Sequence, residues 1–188
     1  VCYEYVDKEK GSLFVLGPLN LTILYAQKIF ITGGNGSGKT TFIKLLTGLY
    51  KPSSGEILLN GQIISDKNLP AYRDQISAIF TDNYLFEENY NEFNLSKDNQ
   101  QLTAYIEIMK LSNIIRTNDT SYHFSSSLSQ GQQKRLALIM ALMEERKVVV
   151  LDEWAAEQDP HFRAYFYRKI LDYLKQEDKT VIAVTHDD

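Results

Sequence analysis

The segment Gly33-Gly34-Asn35-Gly36-Ser37-Gly38-Lys39-Thr40 limits what this chain can fold into more than any other stretch. It fits G-x-x-x-x-G-K-[ST]. The apolar run Lys28 to Thr32 precedes it, and Phe42, Ile43, Leu45 and Leu46 follow at helical spacing. A strand is expected to enter a glycine-rich turn there and leave as a helix. Glycines let the backbone bend so that successive N–H groups point inward, where side chains would block an anion. The helix N-terminus adds unpaired N–H groups and the positive end of its dipole. Lys39 then offers a compact cation to β and γ phosphates, and the Thr40 hydroxyl offers an oxygen to Mg²⁺. The cradle is expected to comprise Gly33, Gly34, Asn35, Gly36, Ser37, Gly38, Lys39, Thr40 and Thr41. A chance glycine-rich turn of this pattern has odds of roughly one per cent or less.

The rest of the chain suits one domain with a subdomain. Its 188 residues are 44% hydrophobic and 23% charged, ordinary for a folded protein. The net charge of -4 gives no electrostatic reason to expect nucleic acid as a partner. Cys2, the single cysteine, allows neither an internal disulfide nor a cysteine metal site, so a reducing compartment fits. No run approaches the ~18 apolar residues of a membrane span. The first residues already read as a strand rather than a signal peptide.

Along the chain, Val1–Tyr5, Leu13–Val15, Leu21–Ile23, Lys28–Thr32, Ile76–Phe80, Val148–Leu151 and Thr180–Thr185 read as strands. Glu56–Leu59 lies between turn signals at Pro52–Gly55 and Asn60-Gly61. Glu87 to Asp119 is polar and mostly helical in period, with Leu102, Tyr105, Ile106, Met109 and Leu111 on one face. Helices are expected from Gln130 to about Met143 and from Pro160 through Phe166, Ile170 and Leu174. Strands alternating with helices predict an α/β sheet with a largely parallel core.

Two further segments carry chemistry. Val148-Val149-Val150-Leu151-Asp152-Glu153 is a buried strand ending in two carboxylates. Asp152 is placed to hold Mg²⁺ and Glu153 to polarise an attacking water, on the expectation that this strand lies beside the one entering the glycine loop. Such a pair is often only a helix cap or a solvated turn; the glycine loop decides between the readings. Leu128-Ser129-Gln130-Gly131-Gln132 opens a long helix about twenty residues before Asp152.

These last residues resemble the L-S-G-G-Q signature of ABC ATPases, with Gln130 at the third place. The resemblance implies a P-loop NTPase ABC ATPase core: a largely parallel sheet, an antiparallel β subdomain and a small helical subdomain at about residues 87–135. It implies ATP and Mg²⁺ as ligands. It also implies a head-to-tail pair in which Ser129, Gly131 and Gln132 face the ATP held by the second copy. Asp159 resembles the aspartate that bridges the two sites. His186 looks like the histidine that contacts the γ-phosphate, and Tyr5 like the aromatic that stacks on adenine.

One stretch departs from the family. The usual glutamine, which reaches Mg²⁺ and water, belongs where Thr81 stands in Ile79-Phe80-Thr81-Asp82-Asn83-Tyr84-Leu85-Phe86. A threonine hydroxyl is too short for the same contact without a water, although Thr81 keeps a metal-facing place in the pattern. With Leu151-Asp152-Glu153-Trp154-Ala155-Ala156-Glu157-Gln158-Asp159-Pro160, this departure resembles bacterial exporters of cyclic peptides and siderophores, including pyoverdine- and syringomycin-type exporters. That branch implies a membrane domain outside these residues, on the same protein, and a place at the cytoplasmic face of the bacterial inner membrane. The alternatives are an importer's ATPase subunit and a non-transport ABC ATPase. About 90 positions separate Lys39 from Ser129, which leaves no room for the long coiled coil of chromosome and repair ATPases.

Overall fold

The structure is a computed structural model and describes residues 1–7, 11–82, 89, 91–124 and 128–185. Strands β1 (Tyr3–Asp7) and β2 (Ser12–Leu16) form an antiparallel ribbon in which Tyr5 lies opposite Phe14. The expected strand at Leu21–Ile23 does not form. Those residues have no ladder partner among the described residues, and Leu21 is exposed. Just beyond, the Leu24 N–H turns to the Gln27 side chain. Ile23 alone anchors the run, packing on the core below the sheet.

β3 (Lys28–Ile31) leads through the glycine loop into α1 (Lys39–Leu46). β3 is less buried than its apolar sequence suggests. It is an edge strand, and Phe30 is 47% exposed. β4 (Leu58–Leu59) and β5 (Gln62–Ile63) make a hairpin whose turn residues, Asn60 and Gly61, both have positive φ, as a two-residue type I′ turn requires. α2 (Leu69–Arg73) follows and then β6 (Ile76–Ile79).

α3 (Gln100–Ile108) starts at Asn99, whose side chain accepts the Leu102 N–H. All five residues of its expected apolar face are buried. The surrounding stretch is less helical than its period predicts. β7 (Arg116–Thr117) and β8 (Tyr122–His123) form a hairpin instead. The Asn118 side-chain oxygen accepts the N–H groups of Thr120 and Ser121 and closes the turn. Asn-Asp-Thr-Ser turn chemistry outweighs weak helical periodicity there.

α4 (Gln130–Met143) runs into β9 (Val148–Asp152). α5 (Pro160–Tyr165) continues through a π-helical turn, Phe166–Ile170, into α6 (Leu171–Gln176). The buried positions Phe162, Phe166, Ile170 and Leu174 recur every four residues. At ~100° per residue an α-helix overshoots by about 40° at each such step. The wider π turn takes up the drift and keeps all four on the core face. β10 (Thr180–Val184) ends the described chain apart from Thr185.

The main sheet is parallel, in the order β3-β10-β9-β6. The carboxylate strand β9 is expected from the sequence to lie beside β3, but β10 lies between them. Alternation sorts the strands' side chains. Val149, Leu151, Val181 and Ala183 face the larger core with α3, α4, α5 and α6. Val150, Ile182 and Val184 face Ile43 of α1 and Tyr72 of α2. Each of the valine, leucine and isoleucine side chains among these contributes about 1.5–3 kcal/mol by burial. The central strands are thus rigid, and their carboxyl ends form a firm base for the loops above.

Candidate functional site

The glycine loop sits at the carboxyl end of β3. Gly38 has φ 95° and precedes α1. A Cβ there would lie 3.0 Å from Phe14 Cζ and 3.1 Å from Leu16 Cδ1, so β2 packs directly on the loop. At Gly34 and Gly36 a Cβ would meet nothing within 4 Å, which leaves the cradle open. α1 has no side-chain cap and no acidic residue in its first turn, as an anion-binding helix start needs. Lys39 is buried, and its Nζ donates to the carbonyls of Gly33 at 2.5 Å and Gly34 at 3.1 Å.

A cleft of about 410 Å³ lies over this loop. Its floor is Asn35 to Thr41. One wall is Tyr5, Leu13 and Phe14, and Glu153 also lines it. The Tyr5 and Phe14 rings are 5.1 Å apart, and Tyr5 is 42% exposed. Tyr5 thus lines the same cleft as the glycine loop. Leu13 and Phe14 were not anticipated. Only the strand register, Tyr5 opposite Phe14, brings Phe14 to the same wall.

Asp152 ends β9, fully buried, and hydrogen-bonds to the Thr40 side chain. Its Oδ1 has no hydrogen-bond partner among the described residues. Burial pushes its pKa up, Thr40 opposes that shift, and the Glu153 charge adds to it. A buried carboxylate oxygen without a partner, beside a threonine hydroxyl and a phosphate cradle, suits a hard divalent cation such as Mg²⁺. Glu153 follows with φ 53°, a left-handed conformation rare outside glycine. The Thr81 hydroxyl donates to the Asp152 carbonyl at 3.4 Å, which puts it at the same end of the sheet. Asp82 is exposed. His186 and the residues Asn83 to Phe86 lie outside the described residues.

Ser129 caps α4. Its hydroxyl accepts the Gln132 N–H at 3.4 Å, and the Gln132 side chain accepts the Ser129 N–H at 2.9 Å, a reciprocal capping box. Neither Ser129, Gly131 nor Gln132 lines the cleft. Instead the start of α4 packs against the loop before α5. A Cβ on Gly131 would lie 3.1 Å from the Glu157 carbonyl oxygen and 3.3 Å from Gln158 Oε1. Asp159 caps α5 through the Phe162 N–H and pairs with Arg135 at 2.9 Å. The backbone hydrogen bond leads in holding the Asp159 carboxyl below the usual carboxylate range.

Comparison with known proteins matches residues 16–156 to the family model described as ABC transporter. The ATP-binding protein SyrD of Pseudomonas syringae pv. syringae is 40% identical over 98% of this chain. The energy-coupling factor transporter ATP-binding protein EcfA1 of Oenococcus oeni is 33% identical over 98%. This chain spans 33% of SyrD's length and 68% of EcfA1's. Among solved structures, the ATP-binding cassette MJ0796, described as dimeric and bound to ADP and Pi, superimposes with a TM-score of 0.77. That match covers 100% of this chain and 86% of the cassette at 24% identity. With its parallel sheet, phosphate loop and matched family model, the chain belongs to the ABC transporter family, as one of its ATPase cassettes.

Proposed function

We propose that this chain powers an exporter by binding Mg-ATP in the cleft over Gly33–Thr41 and hydrolysing it with Glu153. The observation that carries the reading is the shared cleft: Glu153, at the end of a buried strand, lines the same space as the phosphate loop. The base stacks on Tyr5 with Phe14 behind it. Loop N–H groups and Lys39 take the phosphates, and Lys39 exchanges its loop carbonyls for phosphate oxygens. Thr40 and Asp152 would hold Mg²⁺, which draws charge from the phosphate oxygens when bound, with Thr81 at its edge. Glu153 orients or deprotonates the attacking water, and His186 would contact the γ-phosphate.

Ser129, Gly131, Gln132 and Asp159 do not line this chain's own cleft. In the proposed head-to-tail pair they complete the cleft of a second copy. A small helical subdomain at about residues 87–135 belongs to this reading, and the loop at Thr81 would sense the membrane domain of the same transporter. No helix among the described residues is long and apolar enough to cross a membrane. In this reading the membrane domain lies on the same protein outside these residues, which span 33% of SyrD's length, and the cassette works at the cytoplasmic face. The exporter class, with a cyclic peptide or siderophore as cargo, rests on Ile79–Asp82 and Leu151–Pro160 and on the identity shared with SyrD. The match to EcfA1 keeps an importer's subunit as the second reading. Membrane spans on the same polypeptide support the first reading, and a separate membrane subunit the second.

Glu153→Gln tests the chemistry. ATP affinity should stay within a few-fold by equilibrium binding while turnover falls about 10²–10⁴-fold. Unchanged turnover overturns the role of Glu153.

A further inference from the structure

A glutamine buried in a loop must spend both ends of its amide, or desolvation costs it dearly. Gln158 is 3% exposed, and it does so. Its Nε2 donates to the Gly131 carbonyl at 3.1 Å, and its Oε1 accepts from Arg135 Nε at 2.9 Å. Both partners lie in the first two turns of α4. Arg135 also donates to Asp159 Oδ2 at 2.9 Å and lies 3.3 Å from the Phe162 ring centre. One residue back, buried Lys134 pairs with Glu157 at 3.1 Å, although that nitrogen meets no hydrogen-bond geometry. The Lys134 carbonyl accepts from Trp154 Nε1 at 2.8 Å. The contacts therefore converge on Gly131, Lys134 and Arg135 from the loop between β9 and α5.

We infer that Gln158 and Arg135 are positioning residues that fasten the start of α4 to the Glu157–Asp159 loop, so that Ser129 and Asp159 are offered to a second copy's nucleotide as one rigid surface. This rests on the head-to-tail reading above. Neither residue lines the cleft, so neither acts on the nucleotide held by its own chain. Donors to a γ-phosphate must sit within ~2.7–3.1 Å of it, and displacement by about 1 Å costs on the order of 100-fold. Loosening the fastening in one copy thus slows hydrolysis in the other.

The test uses the full-length protein, purified as mixed pairs with two different affinity tags. One copy carries Lys39→Ala, so that only the other holds ATP. Gln158→Met removes both amide contacts at similar length, and it is placed on either copy. On the Lys39→Ala copy, single-turnover phosphate release should fall about 10–100-fold below the reference pair. On the ATP-holding copy it should stay within about twofold. Equal rates in the two arrangements overturn the inference, whether both fall or neither does. Arg135→Lys keeps the charge but loses the planar fork, and should show the same asymmetry. It serves in place of Gln158→Met if that chain does not accumulate. Wild-type copies that neither associate with ATP nor release phosphate would sink the head-to-tail reading, and the fastening with it. Symmetric effects in pairs that do turn over sink the fastening alone.

Discussion

Glu153 and Asp152 are adjacent, yet their backbones and surroundings set them apart. Glu153 holds φ at 53°, where a Cβ costs roughly 1–2 kcal/mol. Glu153→Gly should therefore unfold at higher denaturant than Glu153→Ala, by about 1 kcal/mol, while both lose turnover. Chemical denaturation of the two variants measures this directly. Asp152 carries a different cost, because burial raises its pKa. The folded chain binds that proton more tightly than the unfolded chain. Its contribution to stability is present at low pH and is lost as pH rises from the unfolded pKa through the raised folded one. Asp152→Asn should thus melt higher than wild type at pH 7–8 without ligand. The gap should narrow toward pH 4, and the Mg²⁺-dependent part of ATP binding should be lost. A lower melting temperature for Asp152→Asn at neutral pH overturns the burial argument.

The glycine loop and the β1–β2 ribbon act together through Gly38. A methyl group there meets Phe14 and Leu16 at about 3 Å and also demands a strained φ. Gly38→Ala should weaken ATP binding at least tenfold by equilibrium titration, through displaced strands as well as an altered loop. Phe14→Leu on that background should recover part of the loss. The glycine loop itself was legible in the sequence because its residue types are local demands of anion binding. The start of α4 was legible because its signal is also local: Ser129 and Gln132 form their capping box within four residues. The ribbon's contact with Gly38 was not legible, because it depends on register between strands that pattern alone does not pair. Gln158 was hidden likewise. It stands beside Asp159 without any local pattern, and its partners Gly131 and Arg135 lie more than twenty residues back. The hairpin at 116–123 and the irregular run at 21–23 show the opposite failure. There a periodic pattern existed, but turn chemistry or the lack of a partner strand overrode it.

For the whole molecule, ligand and fold are linked. A ligand at 100 times its Kd adds about 2.7 kcal/mol. In a chain of this size 1 kcal/mol moves Tm by ~2–4 °C, so saturating Mg-ATP should raise Tm of the Glu153→Gln protein by about 5–10 °C. Thermal denaturation with and without EDTA checks it. The sheet order adds a constraint on time as well as space. β10 is the last described strand in the chain, yet it lies between β3 and β9. During synthesis the glycine loop and the Asp152-Glu153 pair emerge long before the strand that joins their parent strands. A nascent chain halted before Thr180 holds every one of these groups but has no continuous sheet beneath them. Nucleotide binding should therefore appear only once β10 has entered the gap between β3 and β9, so a chain that stops before Thr180 should not bind ATP.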